Sequence, residues 1–163
     1  MNDNGRIEAG DVASALRPLY EDLRRFAAVV GGMHLEPDDL LREALVRLLA
    51  SGRWDSVDDI DASLRREIVD VAAHDVRPSL GERGAFVLDP HEIVLVADYP
   101  PHLADIGGLD PMTKGLLCLV ELDGASTGRA ASTLGCSEGA ARTRLSRARR
   151  RLHAELVSEM VVG

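Results

Sequence analysis

The 163-residue sequence predicts an all-α protein of two small helical domains joined by a linker that is rich in proline and glycine. Apolar residues recur at three- and four-residue intervals in the first and last parts of the chain, which is the period of an amphipathic helix. Four prolines and four glycines fall within residues 78–108, a density typical of linkers. We therefore predict a first domain at 10–77, a linker at 78–108 and a second domain at 109–160. A loop inside one domain is the alternative, but loops of this length are uncommon.

Composition narrows the class of protein. Hydrophobic residues make up 45% of the chain and charged residues 28%, so the chain can build a core and is not a disordered polymer. No apolar run approaches the roughly 18 to 20 residues of a membrane span, and the polar first residues predict no secretory signal. Two cysteines, Cys118 and Cys136, are too few for a disulfide framework. We expect a cytoplasmic protein with reduced thiols and no membrane partner.

Three helices are predicted before the linker. The first carries an apolar stripe over residues 16–26 and ends at the glycine pair 31–32. The second begins at Pro37, because proline suits the first turn of a helix. The third is predicted over residues 59–76. Strand signals within residues 86–97 are weak, since a proline interrupts them.

Three more helices are predicted after the linker. The first covers residues 111–122, and the second covers residues 126–134 with its first serine as the cap. A tight turn at residues 135–136 follows. The third is a long helix over residues 138–157, capped by the serine that precedes it. Its inward-facing residues are predicted to be Ala141, Leu145, Ala148 and Leu152.

Charge is distributed unevenly along the chain. Residues 1–110 hold 11 arginines and 22 acidic residues, whereas residues 111–163 hold 8 basic and 5 acidic residues. Six of those basic residues are arginines within positions 142–151. Salt screens charges that are more than about 10 Å apart. A polyanion bound to this part of the chain therefore interacts with the local positive charge and not with the net charge of the protein. The last third of the chain is therefore the part suited to bind a phosphate backbone.

The short helix, tight turn and long basic helix form the pattern of a helix-turn-helix, whose second helix enters the major groove of DNA. Side chains at the start of that helix are placed to read base edges, and the later arginines suit phosphates because guanidinium binds them bidentately. A solvated arginine face is the alternative, but these arginines do not alternate with acids. We predict DNA contact by Ser137, Glu138, Gly139, Arg142, Thr143, Arg144, Ser146, Arg147, Arg149 and Arg150.

The stretch from Gly124 to Arg149, with its strings Ser-Glu-Gly and Arg-x-Arg-Leu-Ser-Arg-Ala-Arg, resembles region 4 of bacterial extracytoplasmic-function sigma factors. The stretch from Glu36 to Arg47 resembles the region 2 helix of the same family. The resemblance implies that one domain docks on core RNA polymerase and opens DNA, while the other reads the upstream promoter element. It also makes an anti-sigma factor a further candidate partner. The polymerase contacts that it implies are Asp39, Leu40, Arg42, Glu43 and Arg47.

The sequence departs from this family pattern in its third predicted helix. Family members melt and read the downstream promoter element with aromatics, arginines and an asparagine, but the aligned residues 63–70 contain no aromatic. Val69 and Asp70 stand where an Arg-Asn pair is common. Unpaired DNA needs positive charge and stacking faces, and the nearby Trp54 is predicted to be packed. The alternative function is therefore a sigma-factor mimic that binds an anti-sigma factor or polymerase without opening DNA.

No pattern in the chain supports an enzyme. The five histidines and two cysteines show no metal-ligand spacing. The acid pairs at 38–39 and 58–59 are explained by a helix start and a solvated loop, and the glycine pairs lack a following phosphate-binding pattern. We predict no catalytic residue, no metal site and no cofactor.

Overall fold

The computed structural model describes residues 9–32, 35–54, 59–74 and 108–162. Regular structure within these ranges is helical throughout, which confirms the all-α prediction. The weak strand signals and almost all of the predicted linker lie outside the described residues. None of the helices in the described ranges is both long enough and apolar enough to cross a lipid bilayer.

Four helices come from the part before residue 75 and three from the part after residue 107. The first group is α1 at Ala9–Leu16, α2 at Tyr20–Gly31, α3 at Pro37–Ala50 and α4 at Ile60–Ala73. The second group is α5 at Pro111–Leu117, α6 at Thr127–Leu134 and α7 at Glu138–Val162. A single π-helical turn, Cys118–Leu122, continues α5.

The helix boundaries follow from capping residues in the sequence. The Asp59 side chain accepts a hydrogen bond from the Ala62 amide at the start of α4, and Asp110 does the same for Thr113 in α5. Gly32 ends α2 with φ of 61°. The predicted first helix is wrong in one respect: the chain breaks it around Pro18, so its apolar stripe is shared between α1 and α2. Proline lacks the amide hydrogen that an uninterrupted helix would use there.

One continuous core of buried side chains runs through both groups of helices. In the first group it contains Leu23, Phe26 and Trp54, so the tryptophan is packed as predicted. In the second group it contains Cys118 and Leu145, as the sequence also indicated. The two predicted domains therefore pack directly on each other, a contact that no local pattern of the sequence foretells.

A glycine makes this contact close. Cβ at Gly115 of α5 would lie 3.1 Å from Cζ of Phe26 and 3.3 Å from Cγ2 of Val69. It would also lie 3.1 Å from Cδ1 of Leu134. Because a Cβ at these distances would be closer to its neighbours than ordinary van der Waals contact, glycine lets α5 approach α2 and α4 closely.

Candidate nucleic-acid interface

The helix-turn-helix consists of α6, a turn at residues 135–137 and α7. Gly135 adopts the left-handed conformation with φ of 73°. Its amide donates to the carbonyl oxygen of Ser132, and the amide of Cys136 donates to that of Ala131 at 3.0 Å. These two bonds form the Schellman motif, which satisfies the free carbonyl groups at a helix end. The turn is therefore fixed by hydrogen bonds, and it sets the angle at which α7 leaves α6.

Ser137 begins the long helix as predicted, because its Oγ accepts a hydrogen bond from the amide of Ala140 at 3.2 Å. Glu138 follows at the positive end of the helix dipole. Its carboxylate lies against Gly128 of α6, where Cβ would be 3.2 Å from Oε2. Glycine at this position in α6 therefore makes room for the acidic side chain at the start of α7.

The buried face of α7 consists of Ala141, Leu145 and Ala148, all three as predicted, while Leu152 is half-buried. Successive residues of an α-helix are rotated by about 100°, so the three buried positions determine which residues lie on the opposite face. That face is exposed to solvent. Its residues are Gly139, Thr143, Ser146, Arg147 and Arg150.

The arginines on the two flanks of α7 pair with acids. Nη1 of Arg144 lies 3.1 Å from Oδ1 of Asp110, at the start of α5. On the other flank, Nη2 of Arg149 lies 2.6 Å from Oε1 of Glu121. Within α7 itself, Arg142 pairs with Glu138 at 2.6 Å. The first two pairs were not predicted from the sequence, because their partners are 34 and 28 positions away.

The arginines at the centre of the exposed face differ from those on the flanks. Among the described residues, Arg147 has neither an ion-pair nor a hydrogen-bond partner. Arg150 donates only to the carbonyl oxygen of Ser146, at 3.4 Å and within its own helix. These two guanidinium groups thus present uncompensated positive charge on the side of α7 that faces away from the core. A phosphate backbone laid along this face would meet them first.

The residues implied to contact polymerase lie on α3, and four of the five reach its surface. Arg42 pairs with Asp39 at 2.6 Å, and Arg47 pairs with Glu43 at 3.1 Å. Leu40 does not belong to this surface, because its side chain is 2% exposed and packs in the core. The expectation that Leu40 contacts a partner directly is corrected, because its side chain packs in the core and anchors α3 there.

A second polar cluster adjoins the start of α3. The Tyr20 hydroxyl donates to Oδ1 of Asp38 at 2.7 Å, and Nε of Arg24 donates to the same oxygen at 3.0 Å. Burial raises the pKa of Tyr20 to about 12, and the hydrogen bond and negative charge of Asp38 act in the same direction. This cluster was not predicted from the sequence, because the three residues come together only through the packing of α2 on α3.

The face of α4 that carries its arginines is turned toward the helix-turn-helix. Arg65 is buried and Arg66 donates to main-chain oxygens of α6. Val69 is 3% exposed, whereas Asp70 is exposed to solvent. In this conformation Arg65 is inaccessible to a DNA strand, whereas Arg66 is exposed to solvent but has its guanidinium hydrogen-bonded to the main chain of α6.

Metal ligation has no support in the described part of the chain, where no three His, Cys, Asp or Glu side chains are grouped to hold a metal ion. The two cysteines are free: Cys118 is buried and Cys136 is half-buried. The chemistry that this arrangement offers is binding through charge and hydrogen bonds.

Comparison with known proteins agrees with this geometry. Residues 106–152 match the family model for Sigma-70, region 4, a range that contains α5, α6 and the first part of α7. The whole chain is similar to a chain in the co-crystal structure of the sigma factor RpoE in complex with the anti-sigma factor NepR from Bartonella quintana. The two are 25% identical, with a TM-score of 0.61 over 90% of this chain and 96% of that chain. No curated protein sequence matches significantly.

Proposed function

We propose that the chain is a sigma factor of the extracytoplasmic-function type, which binds core RNA polymerase and directs it to promoters through its helix-turn-helix; the match to Sigma-70, region 4 and the similarity to the sigma factor structure support this. Members of this family are non-enzymatic transcription regulators. The observation that carries the proposal is the exposed face of α7, where Arg147 and Arg150 present positive charge above a helix-turn-helix of defined geometry. Such a face fits the major groove and its flanking phosphates.

In this proposal, the start of α7 reads base edges of the upstream element. Glu138 accepts hydrogen bonds, as a cytosine amino group requires, and Arg142 can read guanine. Their ion pair of 2.6 Å holds both side chains at the same end of the helix. The phosphate contacts then come from Arg147 and Arg150 on the central face, with Arg144 and Arg149 joining from the flanks.

The proposed polymerase contact is the surface of α3. Positive and negative side chains alternate along this helix, since Arg42 pairs with Asp39 and Arg47 pairs with Glu43. Arg42 is exposed and Arg47 is half-buried. Exposed pairs of this kind contribute little to folding, about 0 to 1 kcal/mol each. They are therefore free to exchange partners with a charged protein surface at small cost to the fold.

Acting on polymerase and promoter DNA, the protein would work in the cytoplasm.

A second function, a sigma-factor mimic, is favoured by the state of α4. Its arginines are engaged by the chain itself, and Val69 is buried where the family commonly has an arginine. A protein of this kind would bind polymerase or an anti-sigma factor without opening DNA. The similar RpoE chain was crystallised with an anti-sigma factor, which supports an anti-sigma partner under either function.

In vitro transcription tests the proposal. The full chain is added to core polymerase from a related bacterium on promoter fragments from its own upstream region, with permanganate footprinting of unpaired thymines. We expect transcripts and a reactive bubble, and we expect Arg147→Ala to reduce both. The matched control is Arg53→Ala, which removes one arginine from the first group of helices. Stable binding to polymerase without a bubble would refute promoter opening and favour the mimic.

A further inference from the structure

Gly128, in the first turn of α6, has surroundings that differ from those of three other helical glycines. A Cβ at Gly31 or Gly115 would meet apolar side chains, and a Cβ at Gly139 would meet nothing within 4 Å. A Cβ at Gly128 would instead lie 3.2 Å from Oε2 and 3.5 Å from Cδ of Glu138. The bare backbone at Gly128 thus forms a notch in α6, and the end of the Glu138 side chain lies in it.

The backbone at this position does not require glycine. Gly128 is helical and is not among the glycines with positive φ, so alanine could replace it without backbone strain. Alanine is also the better helix former, since glycine loses more conformational freedom on folding. Ser126 already caps this turn, because its Oγ accepts from the amide of Arg129 at 3.2 Å. Glycine therefore weakens α6, and what it provides in return is the space that Glu138 occupies.

The carboxylate in this notch holds an arginine one turn further along α7. Oε1 of Glu138 accepts a hydrogen bond from Nη2 of Arg142 at 2.6 Å, while Oε2 lies against Gly128. The two side chains are 54% and 72% exposed, and an ion pair this exposed adds little to stability. Its effect is on the position of the guanidinium, whose further N–H donors stay open to a base edge.

We propose that Gly128 is a specificity-determining residue of the helix-turn-helix. Its missing side chain lets Glu138 take the pose that orients Arg142, and the oriented Arg142 selects guanine. An arginine that is aligned before binding loses less conformational entropy in the complex, and it discriminates against bases that need another alignment. The inference rests on the proposed function, because it explains how the helix-turn-helix chooses a base pair.

The variant Gly128→Ala separates this role from a structural one. Glu138 has to move by a few tenths of an ångström or leave the notch to admit the methyl group, and its ion pair carries Arg142 with it. Base preference should therefore weaken. Urea denaturation should show a variant at least as stable as the parent, because alanine favours the helix. A glycine that serves only the fold would not give this combination.

The probe is a library of randomised DNA duplexes. Those that the parent chain retains are sequenced, and the best duplex and its single-base-pair exchanges are titrated by fluorescence anisotropy. The affinity ratio between the best duplex and the duplex with its most damaging G·C exchange measures the preference. We expect Gly128→Ala to lower this ratio about threefold, a part of the discrimination that a bidentate arginine–guanine contact gives. The salt dependence of binding should keep its slope, because no phosphate contact is lost.

Two further variants serve as controls. Ser132→Ala places an alanine at an exposed position in the last turn of α6 and keeps the main-chain oxygen that Arg66 binds. It favours the helix as Gly128→Ala does, and it should leave the affinity ratio unchanged. The second control tests the route through the carboxylate: in a chain that carries Glu138→Ala, adding Gly128→Ala should not change the ratio further.

The inference is wrong if Gly128→Ala keeps the parent's ratio, if Ser132→Ala lowers the ratio equally, or if Gly128→Ala still lowers it in the Glu138→Ala chain. In these three cases the parent chain selects a sequence, so the proposed function stands. A parent chain that binds no duplex, or binds every duplex alike, refutes promoter recognition itself, and Gly128 then has no base preference to determine.

Discussion

Nη1 of Arg144 lies 3.1 Å from Oδ1 of Asp110, across 34 positions of the sequence. The same carboxylate caps α5, because Oδ1 accepts from the amide of Thr113 at 3.1 Å and Oδ2 accepts from its hydroxyl at 2.7 Å. One aspartate therefore starts the first helix of the DNA-binding part and holds an arginine on its last helix. A DNA phosphate that uses Arg144 has to compete with this carboxylate.

Replacing Asp110 by asparagine should strengthen DNA binding. Asparagine still caps a helix, so α5 is retained, while Arg144 loses its charged partner. For an exposed pair worth up to about 1 kcal/mol, we expect affinity for duplex DNA to rise about two- to fivefold. Fluorescence anisotropy with labelled duplex at several salt concentrations measures the change. The control is Asp70→Asn, which removes the same charge from the exposed side of α4; an equal rise there would show that net charge alone is responsible.

Arg147→Ala should weaken duplex binding, because Arg147 stands at the centre of the exposed face. We expect roughly a tenfold loss and a salt dependence whose slope falls by about 0.9, the value for one lost phosphate contact. The same anisotropy titration gives both quantities. Arg53→Ala provides the comparison, since it removes the same charge at a position outside the helix-turn-helix, where Arg53 pairs with Glu67. An unchanged salt slope for Arg147→Ala would contradict a phosphate contact at this residue.

The fold was largely predictable because its signals are local. Pro37, Asp59 and Ser126 mark helix starts, and the apolar residues between them recur at helical spacing. The exposed face of α7 follows from the same periodicity once one buried residue is known. Leu40 shows the limit of this reasoning, since a resemblance to a binding helix did not reveal that its side chain points into the core.

Contacts between distant residues were not predictable from the sequence. The pairs of Arg66 with Thr133 and of Arg149 with Glu121 depend on how α4, α5 and α7 pack, and no local pattern contains that information. The acidic character of α4 suggested only that it repels DNA. The structure adds that the arginine-bearing face of the same helix is used within the chain.

Gly135→Ala should destabilise the protein through the turn of the helix-turn-helix. An alanine forced to φ of 73° pays a steric cost that glycine avoids, and we expect the free energy of unfolding to fall by about 1 to 2 kcal/mol. Urea denaturation followed by circular dichroism measures this. Gly139→Ala is the matched control, since Gly139 is helical and a Cβ there meets nothing within 4 Å. That exchange should raise the free energy of unfolding by about 0.5 to 1 kcal/mol, so a loss of equal size in both variants would argue against strain at Gly135.

Tyr20→Phe should remove a pH-dependent part of the stability. Burial first, and then the hydrogen bond to Asp38, raise the pKa of Tyr20 from its ordinary value of 10.0 to about 12 in the folded chain. The folded state therefore keeps its proton where the unfolded state loses it, so this contribution is present below about pH 10 and is lost as the pH rises toward 12. We expect urea denaturation to show the parent chain more stable than Tyr20→Phe at pH 8, and the difference between them to shrink at pH 11. A difference that stays constant between these two pH values would mean that Tyr20 titrates normally in the folded protein.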